Sequence, residues 1–189
     1  MRYLRIQDAS PQRVVVEADV TLHVTFVQAM QQLAADGAAM ISTSCGFLAA
    51  QQTLFSQAVS VPVVSSSLLQ CAELYRPGIV TFDAASLSPA VLRGAGVPPD
   101  TPVQGLEPGC ELHQRILGNE LRLDLAAAEQ DVVSSALRLI ERHPDIESIV
   151  LECTNMPPYR AAIERATHLP VHDIETLLIR QWRALHAHH

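Results

Sequence analysis

Cys45 and Cys153 each stand at the turning point of a unit that the sequence contains twice. The first copy reads Ala39-Met40-Ile41-Ser42-Thr43-Ser44-Cys45-Gly46-Phe47, then a helix-like run, then Val61-Pro62-Val63. The second reads Ile149-Val150-Leu151-Glu152-Cys153-Thr154-Asn155, a helix-like run, then Leu169-Pro170-Val171. Seventeen positions separate cysteine from proline in both copies, and a Leu-Leu pair follows, Leu68-Leu69 in one and Leu177-Leu178 in the other. Matched spacing suggests duplicated lobes related by a pseudo-two-fold axis, with the thiols at equivalent strand ends facing one cleft. Two thiols on opposite sides of a small carbon acid make a two-base site: a thiolate on one face takes the α-proton, a thiol on the other returns one.

The environment expected at each cysteine suits that chemistry. Each falls between a strand and a helix, at or just before the helix N-terminus, where backbone amides lower a thiol's pKa from about 8.5. The same amides can hold a substrate carboxylate. Thr43, Ser44, Gly46, Thr154 and Asn155 lie beside the thiols and are the first choices for binding a carboxylate and an amino group. Ser66, Ser86 and His172 are second choices. Ser65-Ser66-Ser67 follow a strand, where open α/β sheets bind ligands, although serines there also serve as plain helix caps. His172, beside Asp173 at a strand end, reads either as an acid or orienting group in the cleft or as an ordinary surface or core residue.

Other candidates are weaker. Cys71 and Cys110 read as small core hydrophobes. His168 and His172 have the spacing of a helical metal pair, but Pro170 between them breaks the helix. His186, His188 and His189 read as a tail without a role. Arg76, Arg160 and Arg165 could clamp a carboxylate, although solvated helix faces suit the last two better. Alanine-rich helix faces serve core packing or the seam of a homodimer, which sequence does not separate.

Composition narrows the function further. The chain has 189 residues, 48% of them hydrophobic, which suits one large domain or two small lobes with a sizeable core. A net charge of -7 and thinly spread basic residues argue against binding nucleic acid. All 13 basic residues are arginine. Without lysine there is no Schiff base to pyridoxal phosphate and no P-loop lysine, so carbanion chemistry must run without that electron sink. No apolar run approaches the roughly 18 residues that span a bilayer. The opening residues lack the unbroken apolar core of a secretory signal. The expectation is a cytoplasmic chain with its four cysteines as thiols, none spaced as a CxxC pair.

The elements that must position the cysteines follow from periodicity. Residues 2–6 read as a short strand. Leu22, Phe26, Met30 and Leu33 line one face of a helix closed by Asp36-Gly37. Strands are expected at 38–42, 59–64, 79–82, 103–106 and 147–152. Helices are expected at 47–57, after Ser65-Ser66-Ser67, after Ser88-Pro89 as far as Gly94, at 111–117, at 123–142, from Pro157-Pro158, and from 174 to the end. Alternating strands and helices indicate an α/β fold of two pseudo-symmetric βα lobes with mostly parallel sheets and a cleft between them. Residues 1–76 with 172–189 would form the first lobe and 77–171 the second, the last helix returning onto the first.

Ser42-Thr43-Ser44-Cys45-Gly46-Phe47-Leu48 and Leu151-Glu152-Cys153-Thr154-Asn155-Met156-Pro157-Pro158-Tyr159 resemble the two cysteine motifs of the aspartate/glutamate racemase superfamily. That family includes aspartate, glutamate and hydantoin racemases, maleate isomerase and arylmalonate decarboxylase. The resemblance implies a two-lobed α/β fold, no cofactor, a small carboxylate substrate and a cysteine from each lobe at the cleft. It covers nearly the whole chain, including Gly78 to Ser86 and Val171-His172-Asp173. There are departures: Gly46-Phe47 stands where glutamate and aspartate racemases have Asn-Thr, and Asn155 where glutamate racemases have a proton-transferring histidine. Family members also open with a strand and an acidic or glycine-rich loop lining the cleft, and this sequence begins at what looks like their second strand. The resemblance implies a racemase or isomerase first, and otherwise a single-thiol decarboxylase or cis-trans isomerase, or a non-catalytic binder of small acids.

Overall fold

Apolar strands that alternate with helices bury both faces by lying parallel under helical layers. The computed structural model, which describes residues 1–187, has this arrangement in two sheets. In the first, β1 (Ile41–Ser42) pairs with β2 (Val63–Val64), Ile41 opposite Val63. The second has four parallel strands in the order β4-β3-β5-β6, built from β3 (Pro77–Thr81), β4 (Val103–Gly105), β5 (Ser148–Leu151) and β6 (Val171–His172). Its central strands are fully buried, with Ile79, Val80, Ile149, Val150 and Leu151 all at 0% exposure.

Seven helices cover these sheets among the described residues: α1 (His23–Ala35), α2 (Gln52–Ala58), α3 (Pro89–Gly94), α4 (Glu111–Leu117), α5 (Leu125–Arg142), α6 (Arg160–Thr167) and α7 (Ile174–His186). Several of their ends are capped. Gly37, at φ +85°, closes α1 in a conformation that side chains rarely adopt. Ser88 accepts from the Val91 amide ahead of Pro89, and Asp124 accepts from the amides of Ala126 and Ala127. On α5, Ala128, Val132, Ala136 and Leu139 form the buried stripe, while Leu125, in the first turn, is exposed. Asp173 and Thr176 cap α7 reciprocally. Ile174 and Leu177 then pack with Val64 of the first sheet.

Three expectations need correction. Residues 2–6 form no strand: no strand lies beside them to complete their hydrogen bonds, and Tyr3 is 81% exposed. The strands near 38–42 and 59–64 shrink to two residues each. The stretches after Cys45 and after Ser66 begin as 3-10 turns, Gly46–Gln51 and Ser67–Ala72, instead of α-helix. His186 ends α7, with Nδ1 2.8 Å from the Trp182 carbonyl. His188 and His189 lie outside the described residues. Among the described residues no helix is long and apolar enough to cross a membrane.

Candidate active site

The duplicated unit repeats the same strand-pairing hydrogen bond. The Ile41 amide donates to the Pro62 carbonyl at 2.9 Å, and the Ile149 amide donates to the Pro170 carbonyl at 3.0 Å. Each cysteine therefore leaves the carboxyl end of a parallel strand, at the edge where open α/β sheets place ligands. Cys45 is the extended residue that caps the 3-10 turn Gly46–Gln51, whose Phe47, Leu48 and Ala49 are buried. Cys153 enters a turn in which the Met156 amide donates to its carbonyl at 3.0 Å, and helix begins only at Pro157.

The two loops meet. Thr154 Oγ1 donates to the Ser44 carbonyl at 2.6 Å, joining the residue after one cysteine to the residue before the other. Ser67 Oγ donates to the Leu151 carbonyl at 2.5 Å, a second tie between the sheets. Gly46 is pressed against the carbonyl and carboxyl of Glu152, so closely that a methyl group in place of its hydrogen would collide with both. Cys45 is close enough to Cys153 for its charge to oppose ionisation there.

Electrostatics at the pair run opposite to expectation. The Phe47 and Leu48 amides do favour a Cys45 thiolate, but burial and then the Glu152 carboxyl outweigh them and push the thiol up to about 12. Burial, followed by Glu152, raises the Cys153 thiol as well, against hydrogen bonds from the Asn155 amide and side chain. Both cysteines therefore rest as thiols. A desolvated site costs a thiolate more than two or three amides return.

Sequence reasoning passed over Glu152. It is 1% exposed, and its Oε2 accepts from Thr81 Oγ1 at 2.8 Å. Burial raises its pKa to about 8, with Asp83 adding to the rise, while hydrogen bonds from the Thr81 hydroxyl and the Phe82 amide oppose it. A charged residue ending an otherwise apolar strand was the available signal.

The other anticipated residues divide between the pair and the framework. Ser44, Gly46, Thr154 and Asn155 are at the pair, Asn155 Nδ2 lying 3.8 Å from Cys153 Sγ. Thr43 Oγ1 donates to the Ser65 carbonyl at 2.6 Å and holds the loops after β1 and β2 together. Ser66, fully buried, accepts from the Leu68 amide as a cap. Ser86 donates to Asp83 Oδ2 at 2.6 Å. His172 sits in β6, half-buried; burial and then Arg180 lower its pKa, against Asp173 and Glu164, and neither thiol is among these influences. Arg160 is paired with the buried Asp173, and Arg76 stacks over Tyr75. Cys71 is fully buried in the main core, and Cys110 is half-buried against it. Among the described residues no group of three or more His, Cys, Asp or Glu is placed to hold a metal ion. A cavity of about 270 Å³ adjoins the Cys45 turn, lined by Phe47, Leu48, Gln51, His23 and Ser86 among others, but by neither thiol.

Solved structures share this architecture. Allantoin racemase from Klebsiella pneumoniae superposes with a TM-score of 0.65 at 18% identity, over 87% of this chain and 66% of that one. An aspartate racemase homologue from Pyrococcus horikoshii gives 0.58 at 17%, over 96% and 82%. Arylmalonate decarboxylase gives 0.54 at 19%, over 79% and 69%. The chain shares the fold of these proteins. In sequence it is similar to dimethylsulfoniopropionate lyase 7 of Emiliania huxleyi, 32% identical over 80% of this chain and 49% of the relative. The dimethylsulfoniopropionate lyase of Durusdinium sp. clade D is 33% identical over 72% of this chain and 49% of its own length. The chain thus spans about half the length of these curated relatives. No family model matches it.

Proposed function

We infer that the chain is a cofactor-independent lyase acting on small carboxylates, with Cys45 and Cys153 as the proton-transfer pair. The observation that carries this reading is the meeting of the two cysteine-bearing loops at equivalent strand ends, in a chain similar to dimethylsulfoniopropionate lyases. In a propionate bearing a β-sulfonium group, the thiolate of one cysteine takes the proton α to the carboxylate, while the thiol of the other donates a hydrogen bond to that carboxylate. The C–H electron pair becomes the α–β double bond, and the β-carbon–sulfur bond breaks with its pair leaving on sulfur. Acrylate and dimethyl sulfide result, and the new thiol returns its proton to solvent. No external electron sink is required, which suits a chain without lysine.

The resting state of the pair favours a cationic substrate. Both thiols are held neutral by burial, and a sulfonium entering beside them would lower the cost of a thiolate by direct attraction. Release of dimethyl sulfide from dimethylsulfoniopropionate, followed by headspace gas chromatography, tests the reading.

A second reading is a racemase or isomerase working on an amino acid or related small acid by two-base transfer. The equivalence of the two strand ends favours it, because a symmetric pair serves both faces of one carbon. Solvent deuterium uptake at the α-carbon without elimination would mark it out. A single-thiol decarboxylase or cis-trans isomerase would instead respond unequally to loss of the two cysteines.

A further inference from the structure

Glu152 has no part in the thiol chemistry above, yet it is the residue on which both cysteine loops close. It follows β5 directly and precedes Cys153 in the chain, while its side chain lies against Gly46, the neighbour of Cys45. Thr81 Oγ1 occupies one carboxyl oxygen. The other, Oε1, is buried without a hydrogen-bond partner, at the junction of the two loops. A buried carboxylate oxygen left bare is costly, whereas a protonated carboxyl has an O–H to give. Gly46 clears the space it occupies.

We propose that Glu152 is a positioning residue that works as a neutral carboxylic acid sealed between the two cysteine loops, and that ionisation of Glu152 turns the pair off. No proton leaves Glu152 in this role: the O–H bond persists, and no charge stands beside the thiols. Once ionised, the same group is a negative charge beside two thiols and opposes both. The groups that face it are Asp83 beyond β3, Cys45 across the junction and Cys153 next in sequence. Its pKa of about 8 leaves it mostly neutral at pH 7 and mostly ionised at pH 9. The proposal rests on the cysteine pair of the proposed function but on no particular substrate.

The test is the rate of iodoacetamide alkylation at Cys45, the half-buried thiol, followed by peptide mass spectrometry on the folded full chain from pH 6 to 10. A thiol far below its pKa gains about tenfold in rate per pH unit. In the parent the rate is expected to follow that slope below pH 7 and to bend to a shallower one near pH 8. Glu152→Gln, which keeps a donor and cannot ionise, should match the parent at pH 6, show no bend, and run about tenfold faster at pH 9. Thr81→Val leaves Glu152 in place but removes a hydrogen bond that favours its charged form, so the bend should move to higher pH. That shift decides the matter if the Glu152 variant fails to fold. Parallel profiles for parent and Glu152→Gln, or an unmoved bend in Thr81→Val, would overturn the proposal. Because alkylation needs no turnover, a missing bend counts against Glu152 alone, while an intact bend in a chain inactive on every substrate counts against the reaction.

Discussion

Thr154 Oγ1 donates to the Ser44 carbonyl at 2.6 Å, so the residue that follows one cysteine is bonded to the residue that precedes the other. Thr154→Val keeps the shape of the side chain and removes this tie. It is expected to cost about 1 kcal/mol in urea denaturation, the usual net worth of one hydrogen bond. Activity should fall further than stability, by tenfold or more, because small displacements of a positioned group have large effects on rate. Equal, small effects on both would mean that the tie is not needed to align the thiols.

Gly46 makes the closest approach between the loops. An alanine there would place its methyl group against the Glu152 carbonyl, a backbone atom that cannot swing away, as well as against the carboxyl. Gly46→Ala should destabilise the fold by about 1–3 kcal/mol, the usual range for overpacking. The midpoint of chemical denaturation checks this, and an unchanged midpoint would show that the loops have slack.

Glu152 gives stability a pH dependence of definite sign. Its pKa is raised from 4.5 to about 8 on folding. Below the lower value the carboxyl is protonated in both states and carries no penalty. Between the two the unfolded chain ionises it and the folded chain does not, so folding takes up a proton. This contribution to stability then declines as pH rises, by up to about 1.4 kcal/mol per pH unit, and levels off above pH 8. Glu152→Gln removes the decline. Denaturation at pH 5 and pH 8 should show the variant gaining on the parent by about 2 kcal/mol or more between them. A constant difference would mean that Glu152 is already ionised at neutral pH.

Much of the frame was legible because local signals agreed with the tertiary structure. Ser88-Pro89 marked the start of α3, where cap and proline coincide, and α4 lies at the expected run 111–117. The repeat around Cys45 and Cys153 was legible for a stronger reason: equal spacing to Pro62 and Pro170 puts equivalent residues into equivalent strand pairs. Residues 2–6 misled because alternation describes a strand only where another strand supplies partners. The thiols misled because their proximity to turn amides is visible in sequence, but their desolvation is not. Glu152 was hidden by its type, since an acidic residue at a strand end is ordinarily solvated, and only the packing of Gly46 reveals that this one is sealed.

The most direct test of the paired-thiol chemistry is proton NMR of dimethylsulfoniopropionate in D2O with the parent, Cys45→Ala and Cys153→Ala, each first shown to be folded. One spectrum reads elimination through acrylate and α-exchange through loss of the α-proton signal. The expected result is acrylate formation by the parent, reduced at least a hundredfold in both variants, with no excess of α-exchange over elimination. Exchange without acrylate would move the chain to the racemase reading. Turnover that survives in either variant, or a parent that neither eliminates nor exchanges this substrate or other small carboxylates, would contradict the paired-thiol account.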